Sequence, residues 1–442
     1  MNTAQKTIAA GLKVSKSIAA VELCAGALAR TPAVIASHFE PGPLLLVADE
    51  NTWQAAGQPL AACLQTAGLR FETLMLPAKP KPKPSVELAG RIAERLSAAR
   101  HTPVAVGSGV INDLVKYAAF TTGQPYLCVA TAASMDGYTS AGAPLSERGF
   151  KKTIQCRPPK AIIADLEVLR NAPRVMSSWG YSDLAGKIPA GADWILADEL
   201  GIEPIEPQSW SMVQANLPDF LSRPLDVARG DGGAIEDLFA GLAVVGFAME
   251  LHGSSRPASG ADHQIAHLWE MQDLAHEGEP VSHGSCVAVG ALTALKLYDW
   301  FLRLDIENLD IEAALAHYRS LSQKSDDIRD RFGTSEICSR SIEETRLKYV
   351  DRDSLRNRLS LLKACWPQLK QRLRAQILTP GAFSEKLGAA GAPTSSAAIG
   401  VDSGHLRQTV LSALYLRSRY TILDILDDIG LLKDAVGTLT AD

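Results

Sequence analysis

The chain has 442 residues, 46% of them hydrophobic and 21% charged, with a formal net charge of −5. That length exceeds one ordinary core and points to two domains, and the balance of apolar and charged residues is that of a globular protein. The charge gives no electrostatic footprint for nucleic acid or an acidic membrane surface, and no window approaches an uncharged transmembrane length, so neither nucleic-acid binding nor membrane insertion is expected. The cysteines number 7 and form no C-x-x-C pair, which fits reduced thiols rather than a disulfide framework or a zinc ribbon. The N-terminal stretch MNTAQKTIAAGLKVSKSIAA lacks a continuous apolar run. It does not read as a signal peptide, and a cytoplasmic location is expected.

The front of the chain alternates strand and helix. Leu44 to Asp49 is an apolar run ending in an acid, as in a buried parallel strand. Gln54 to Ala67 has helical periodicity, and Arg70 to Leu76 returns to a strand-like run. Pro77 to Pro84 alternates Pro and Lys and reads as an extended, solvated loop. Val86 to Arg100 is an amphipathic helix and Pro103 to Gly107 the next strand, which opens through Gly107, Ser108 and Gly109 into a further helix. A glycine-rich turn between strand and helix presents backbone N–H groups to an anion, typically a pyrophosphate. The pattern is neither G-x-G-x-x-G nor a P-loop, and a tight turn needing glycine for its dihedrals explains it equally well. Tyr126 to Ala130 is another buried strand, ending in Thr131, Ser134 and Asp136. Functional groups of open α/β sheets sit at such strand ends, which makes these three candidates; Asp136-Gly137 alone is also an ordinary turn. Lys151 to Gln155 is β-rich, and Ala161 to Asp165 closes this part.

Beyond Pro173 helical periodicity dominates, as in Ala234–Leu251, Ser285–Leu304 and Ser354–Leu378. A Gly/Ala/Ser/Pro-rich stretch from Gly381 to Gly404 reads as a long loop, and helices around His405–Leu416 and Thr421–Ile429 end the chain. The expected organisation is an α/β Rossmann-like domain over residues 1–173 and an all-α domain over 174–442. Within the helical part, SRPASGADHQIAHLWEM places His263 and His267 one turn apart, and His283 follows in VSHGSCVAVG. Imidazoles at i and i+4 share a helix face and can point into one cavity. With a third donor from elsewhere they suit a catalytic divalent metal that keeps one position open. An isolated H-x-x-x-H is more often two histidines on a half-buried face.

The strings VGSGVINDLVKYAAF, TAASMDGYTSAGAPL, GYSDLAGKIPAGADW, SRPASGADHQIAHLWEM and RYTILDILDDIGLL resemble the glycerol-1-phosphate dehydrogenases, above all the bacterial arabinose-operon group. More widely they resemble the iron-type alcohol dehydrogenases, glycerol dehydrogenases and dehydroquinate synthases. The resemblance runs over most of the chain from about Leu44 and implies a dehydroquinate synthase-like fold. It implies that Asp183, His263 and His283 hold one divalent metal, zinc or nickel with iron as a further option, and that His267 is a proton relay or metal-orienting group. It places NAD(P)H on Gly107, Ser108 and Gly109, with Asp113 opening the following helix, Asp49 on the adenosine ribose, Thr131 and Ser134 along the nucleotide and Asp136 on substrate hydroxyls. An acid at Asp49 favours NAD over NADP.

The activity so implied is interconversion of dihydroxyacetone phosphate and sn-glycerol 1-phosphate, on a small polyol-phosphate substrate, in a homodimer. The rivals are a dehydrogenase of another polyol or polyol phosphate, a dehydroquinate synthase-like NAD-dependent cyclase, and a non-catalytic nucleotide sensor; the cyclase expects Glu where Asp183 stands. One segment departs from the family pattern, because Gly186, Pro189 and Gly191 follow Asp183 where a continuous helix is expected. A kink just past Asp183 follows. Lys187, Lys152 and Arg256 are cations near these loops, while His252 and His276 match no ligand position.

Overall fold

The computed structural model describes residues 2–79, 82–147 and 150–442, with the backbone alone for 150–152. The chain divides into two compact units, Met1–Leu184 with Ser211–Ser254, and Ala185–Trp210 with Ser255–Asp442. This division differs from a cut at residue 173. The helices Arg174–Ala185 and Gly232–His252 pack with the α/β part. Gly11 of the N-terminal helix Thr3–Val14 lies so close to Phe247 that a Cβ there would come within 2.2 Å of its ring.

The first unit is built on a six-stranded sheet in the order β1-β8-β5-β4-β2-β3. Its strands are β1 (Ala20–Cys24), β2 (Leu44–Asp49), β3 (Phe71–Leu76), β4 (Thr102–Gly107), β5 (Leu127–Ala130) and β8 (Ala161–Asp165), and every pairing is parallel. The central strands are buried on both faces, which is why they read as unbroken apolar runs. One face packs Leu44, Leu46, Val104, Val106, Leu127, Val129 and Ile163 against Ile35, Leu60 and Leu64. A separate antiparallel hairpin, β6 (Gly142–Glu147) with β7 (Phe150–Gln155), follows β5. Lys152 lies in β7, and its side chain falls outside the described residues, as do residues 80 and 81 of the Pro/Lys loop. After β2 the chain goes to β3 on one side and then to β4 on the other. The order therefore reverses at β2 and β4, and the C-terminal ends of those two strands flank the switch point where open α/β sheets bind ligands.

The second unit is helical apart from the two-residue strands Ala275–His276 and Glu279–Pro280. Its core runs through Leu196, Trp269, Leu297, Phe301, Leu359, Trp366 and Leu426, all buried. The stretch Gly381–Gly404, expected as a long loop, contains the helix Pro380–Ala389. Thr379 caps it by accepting from the Ala382 N–H, and Pro380 sits at its first turn, where a missing N–H costs nothing. No helix among the described residues is long and apolar enough to cross a membrane, and all 7 cysteines are free.

Candidate active site

Two clusters of the expected residues form, one in each unit. In the first, β4 ends at Gly107 and the helix Gly109–Thr121 begins at once. Gly107 is required by packing, since a Cβ there would lie 2.6 Å from the Ile111 Cβ. Gly109 is not crowded in this way; its nearest neighbour would be Met135 Cγ at 3.5 Å. Ser108 occupies the N-cap without a side-chain bond to the first turn, so the leading N–H groups of the helix keep no side-chain cap. The helix opens at Gly109 rather than at Asp113. Asp113 lies in the second turn of that helix, is buried and stands 3.5 Å from the Lys116 ammonium. Asp49, ending β2, accepts the Thr52 N–H at 2.8 Å through Oδ1 and caps the next helix.

Thr131 and Ser134 follow β5 and are buried. Gly180 on the helix Arg174–Ala185 meets this loop so closely that a Cβ would lie 2.0 Å from the Ala133 carbonyl oxygen. That approach brings the buried Asp183 carboxylate, one turn on, to the loop, where its Oδ2 accepts the Asp136 N–H at 2.9 Å. Tyr138 donates to the Ala132 carbonyl at 2.8 Å and Thr139 to the Ala243 carbonyl at 2.7 Å, fixing the loop from both sides. Past Asp183 the helix stops at Ala185 and a new one, Lys187–Glu199, starts after Gly186. Pro189 falls in the first turn of the second helix, so it removes no interior hydrogen bond, and the expected kink takes the form of a one-residue interruption at Gly186, whose dihedrals stay in the helical region.

In the second unit, His263 and His267 on the helix Ala261–Met271 and His283 at the start of the helix His283–Phe301 form a triangle. Their ring centroids lie 5.7, 5.5 and 5.7 Å apart. The two helices can approach this closely because Gly290 faces the Asp262 carbonyl, where a Cβ would come within 2.4 Å. Each imidazole is held through Nδ1 by a carboxylate: His263 by Asp262 at 2.6 Å, His283 by Glu270 at 2.5 Å and His267 by the other Glu270 oxygen at 3.0 Å. A carboxylate on Nδ1 fixes the tautomer and the ring plane, with the proton on Nδ1 and the lone pair on Nε2. Asp262 and Glu270 were not singled out in the sequence, although His267–Glu270 at i, i+3 was a readable signal. Desolvation pushes His267 down to about 4, with Glu270 opposing, so its imidazole is neutral near pH 7. Burial alone would raise Asp262, but His263 and the buried Lys187 hold its carboxyl below the usual range.

The loop Ser255–Gly260 is fixed from below by Asp193. This buried carboxylate accepts from the Tyr298 hydroxyl at 2.6 Å, the Ala261 N–H at 2.7 Å and the Ile422 N–H at 2.7 Å. Burial still pushes it up to about 7 against these donors. Gly260 abuts it, since a Cβ there would lie 2.2 Å from the Asp193 Oδ2. Arg256 is fully buried, 3.2 Å from Glu203, and donates to the Asp193 carbonyl at 2.9 Å, which makes it a brace for the loop. His252 meets Ser254, and His276 is exposed on a short strand.

The glycerol-1-phosphate dehydrogenase (NAD(P)+) of Halalkalibacterium halodurans is 35% identical over 271 residues, which are 61% of this chain and 68% of that one. The chain belongs to the glycerol-1-phosphate dehydrogenase family. A second member, from Geobacillus stearothermophilus, is 31% identical over 294 residues, 64% of this chain and 72% of the other. The Bacillus velezensis glycerol-1-phosphate dehydrogenase is 36% identical over 245 residues, and there the match spans 62% of the relative's length. The profile of the iron-containing alcohol dehydrogenases matches residues 22–173. Among solved structures, glycerol dehydrogenase from Schizosaccharomyces pombe aligns with a TM-score of 0.60 at 15% identity, over 95% of this chain and 90% of that one. NADH-dependent butanol dehydrogenase A from Thermotoga maritima aligns at 0.58 and 14%, over 95% and 98%. At such identities the family fold is what these two structures share with the chain.

Proposed function

We propose that the protein is a metal-dependent NAD(P)H oxidoreductase interconverting dihydroxyacetone phosphate and sn-glycerol 1-phosphate, acting as a homodimer in the cytoplasm. The observation that carries this reading is the triangle of imidazoles, each with Nδ1 on a carboxylate, in a member of this family. Asp183, His263 and His283 are the proposed ligands. Two imidazoles and one carboxylate form a donor set that suits zinc, nickel or iron, and leaves room for an oxygen of the substrate. When bound, the ion supplies positive charge beside the C2 oxygen of the substrate and NAD(P)H supplies the hydride.

The protein's own groups bind, orient and move protons. The uncapped N–H groups after Gly107 and Ser108 receive the pyrophosphate, with Gly109 leaving space for its approach. Asp49 keeps one carboxylate oxygen for the ribose, and Thr131 and Ser134 line the nucleotide. Asp113 acts at one remove, holding Lys116 inside the helix. Asp136 accepts from a substrate hydroxyl while its own N–H holds Asp183 in place. His267 is neutral at working pH and oriented by Glu270, so it takes the proton released by the alcohol in oxidation and hands it to water, and in reduction the proton runs back from water through it to the C2 oxygen. NADH oxidation with dihydroxyacetone phosphate against dihydroxyacetone tests the substrate. The expected result is turnover confined to the phosphorylated ketone; equal turnover of both would move the protein to the unphosphorylated polyols.

A further inference from the structure

The opposite edge of the sheet carries a second feature. The end of the helix Gly109–Thr121, the turn Gly123–Tyr126 before β5, the Arg157–Lys160 segment before β8 and Lys16-Ser17 before β1 line one open pocket with a cavity volume of about 350 Å³. Four cations line it, Lys16, Lys116, Arg157 and Lys160, and no Asp or Glu does. The side chains of Lys16, Arg157 and Lys160 make no ion pair or hydrogen bond among the described residues. Unlike them, Lys116 is fully buried, 3.5 Å from Asp113 and donating to the Gly137 and Gly142 carbonyls at 2.8 Å each, so its charge is already matched and the positive potential of the pocket comes from the other three. Phe120, 41% exposed, forms an apolar side, and Ser17 and Gln124 supply polar groups.

Like charges gathered in one concavity repel each other and raise the local potential, a cost that is relieved when an anion enters. The pocket starts where the strands start, so it is separated from the Gly107 turn by the length of a 13-residue helix, ~20 Å at about 1.5 Å per residue. It is too roomy for one orthophosphate, and three long, mobile cations can each take a separate phosphoryl group. We propose that this pocket is a second anion site that binds a small polyphosphate compound, with Lys16, Arg157 and Lys160 closing on the phosphates and Phe120 against its apolar part.

The test is calorimetric titration of the full-length protein with inorganic tripolyphosphate in saturating NADH, which keeps the probe off the nucleotide end. One-site binding is expected, weakening as NaCl is raised. It should fall at least tenfold in Lys16→Ala/Arg157→Ala/Lys160→Ala, whose dihydroxyacetone phosphate turnover and thermal midpoint stay at the wild-type values. The single variant Arg157→Glu should weaken it as well. No binding by the wild-type protein at millimolar probe would overturn the proposal, and so would binding that both variants retain. Because the readout is binding, this result stands apart from whether the protein turns over the phosphorylated ketone.

Discussion

The two clusters of candidate residues are built on different principles. At the end of β4 the chain works with backbone and space: Gly107 is forced by Ile111, Gly109 is kept open, and Ser108 leaves the helix donors unclaimed. In the helical unit the work is done by side chains that hold one another, three imidazoles on two carboxylates, with Asp193 and Gly260 fixing the loop that leads in. A surface for a polyanion needs donors and no competing charge, whereas donors for a metal must be stripped of water and aimed. The difference teaches that substitutions at the two places should fail in different ways.

The strongest break is His263→Ala. Loss of one imidazole from the proposed ligand set should remove bound metal and lower kcat/KM on dihydroxyacetone phosphate about 1,000-fold, the equivalent of several kcal/mol of charge stabilisation. NADH binding, measured by its fluorescence, should be unchanged. Next is Glu270→Gln, which leaves both histidines in place but weakens their hold. Metal affinity should fall roughly 10- to 100-fold, seen by competition with a chelating dye. An unchanged affinity would contradict the bracing role given to Glu270. Third, Gly107→Ala should cost about 1–3 kcal/mol of stability through overpacking on Ile111, read from denaturant unfolding. Gly109→Ala should leave stability alone and weaken NADH, which would separate packing from ligand approach within one turn.

A fourth effect is on the pH dependence of stability. Asp193 titrates near 7 in the folded protein against its ordinary value of 3.8. The folded state therefore holds a proton that the unfolded state has released, and this group withdraws stability as pH rises from about 4 to 7. Unfolding free energies across that range should fall more steeply for the wild type than for Asp193→Asn. Parallel curves would mean that Asp193 stays ionised throughout.

Much of this was legible in the sequence where the pattern is local. β2, β4 and β5 are buried on both faces, and each reads as an apolar run. β1 escaped because it is an edge strand with only Leu23 buried and Glu22 in its middle. The Pro380–Ala389 helix was hidden by its Gly/Ala composition, although Thr379 and Pro380 announce a helix start. The three histidines could be picked out by spacing and by family likeness. Asp193 could not, since its three donors lie 68, 105 and 229 residues away in the chain. The Asp136 N–H bond to Asp183 spans 47 residues and depends on Gly180 admitting the loop, a condition that no sequence period expresses.

The central claim is that Asp183, His263 and His283 hold a divalent ion on which reduction of the phosphorylated ketone depends. The most direct measurement is NADH oxidation with dihydroxyacetone phosphate by chelator-stripped protein, before and after adding zinc, nickel or iron(II), in the wild type and in His263→Ala. The account predicts no turnover in the stripped wild type, recovery with at least one of these ions, and no recovery in the variant. Full turnover by stripped wild type, or by the variant without metal, would contradict it.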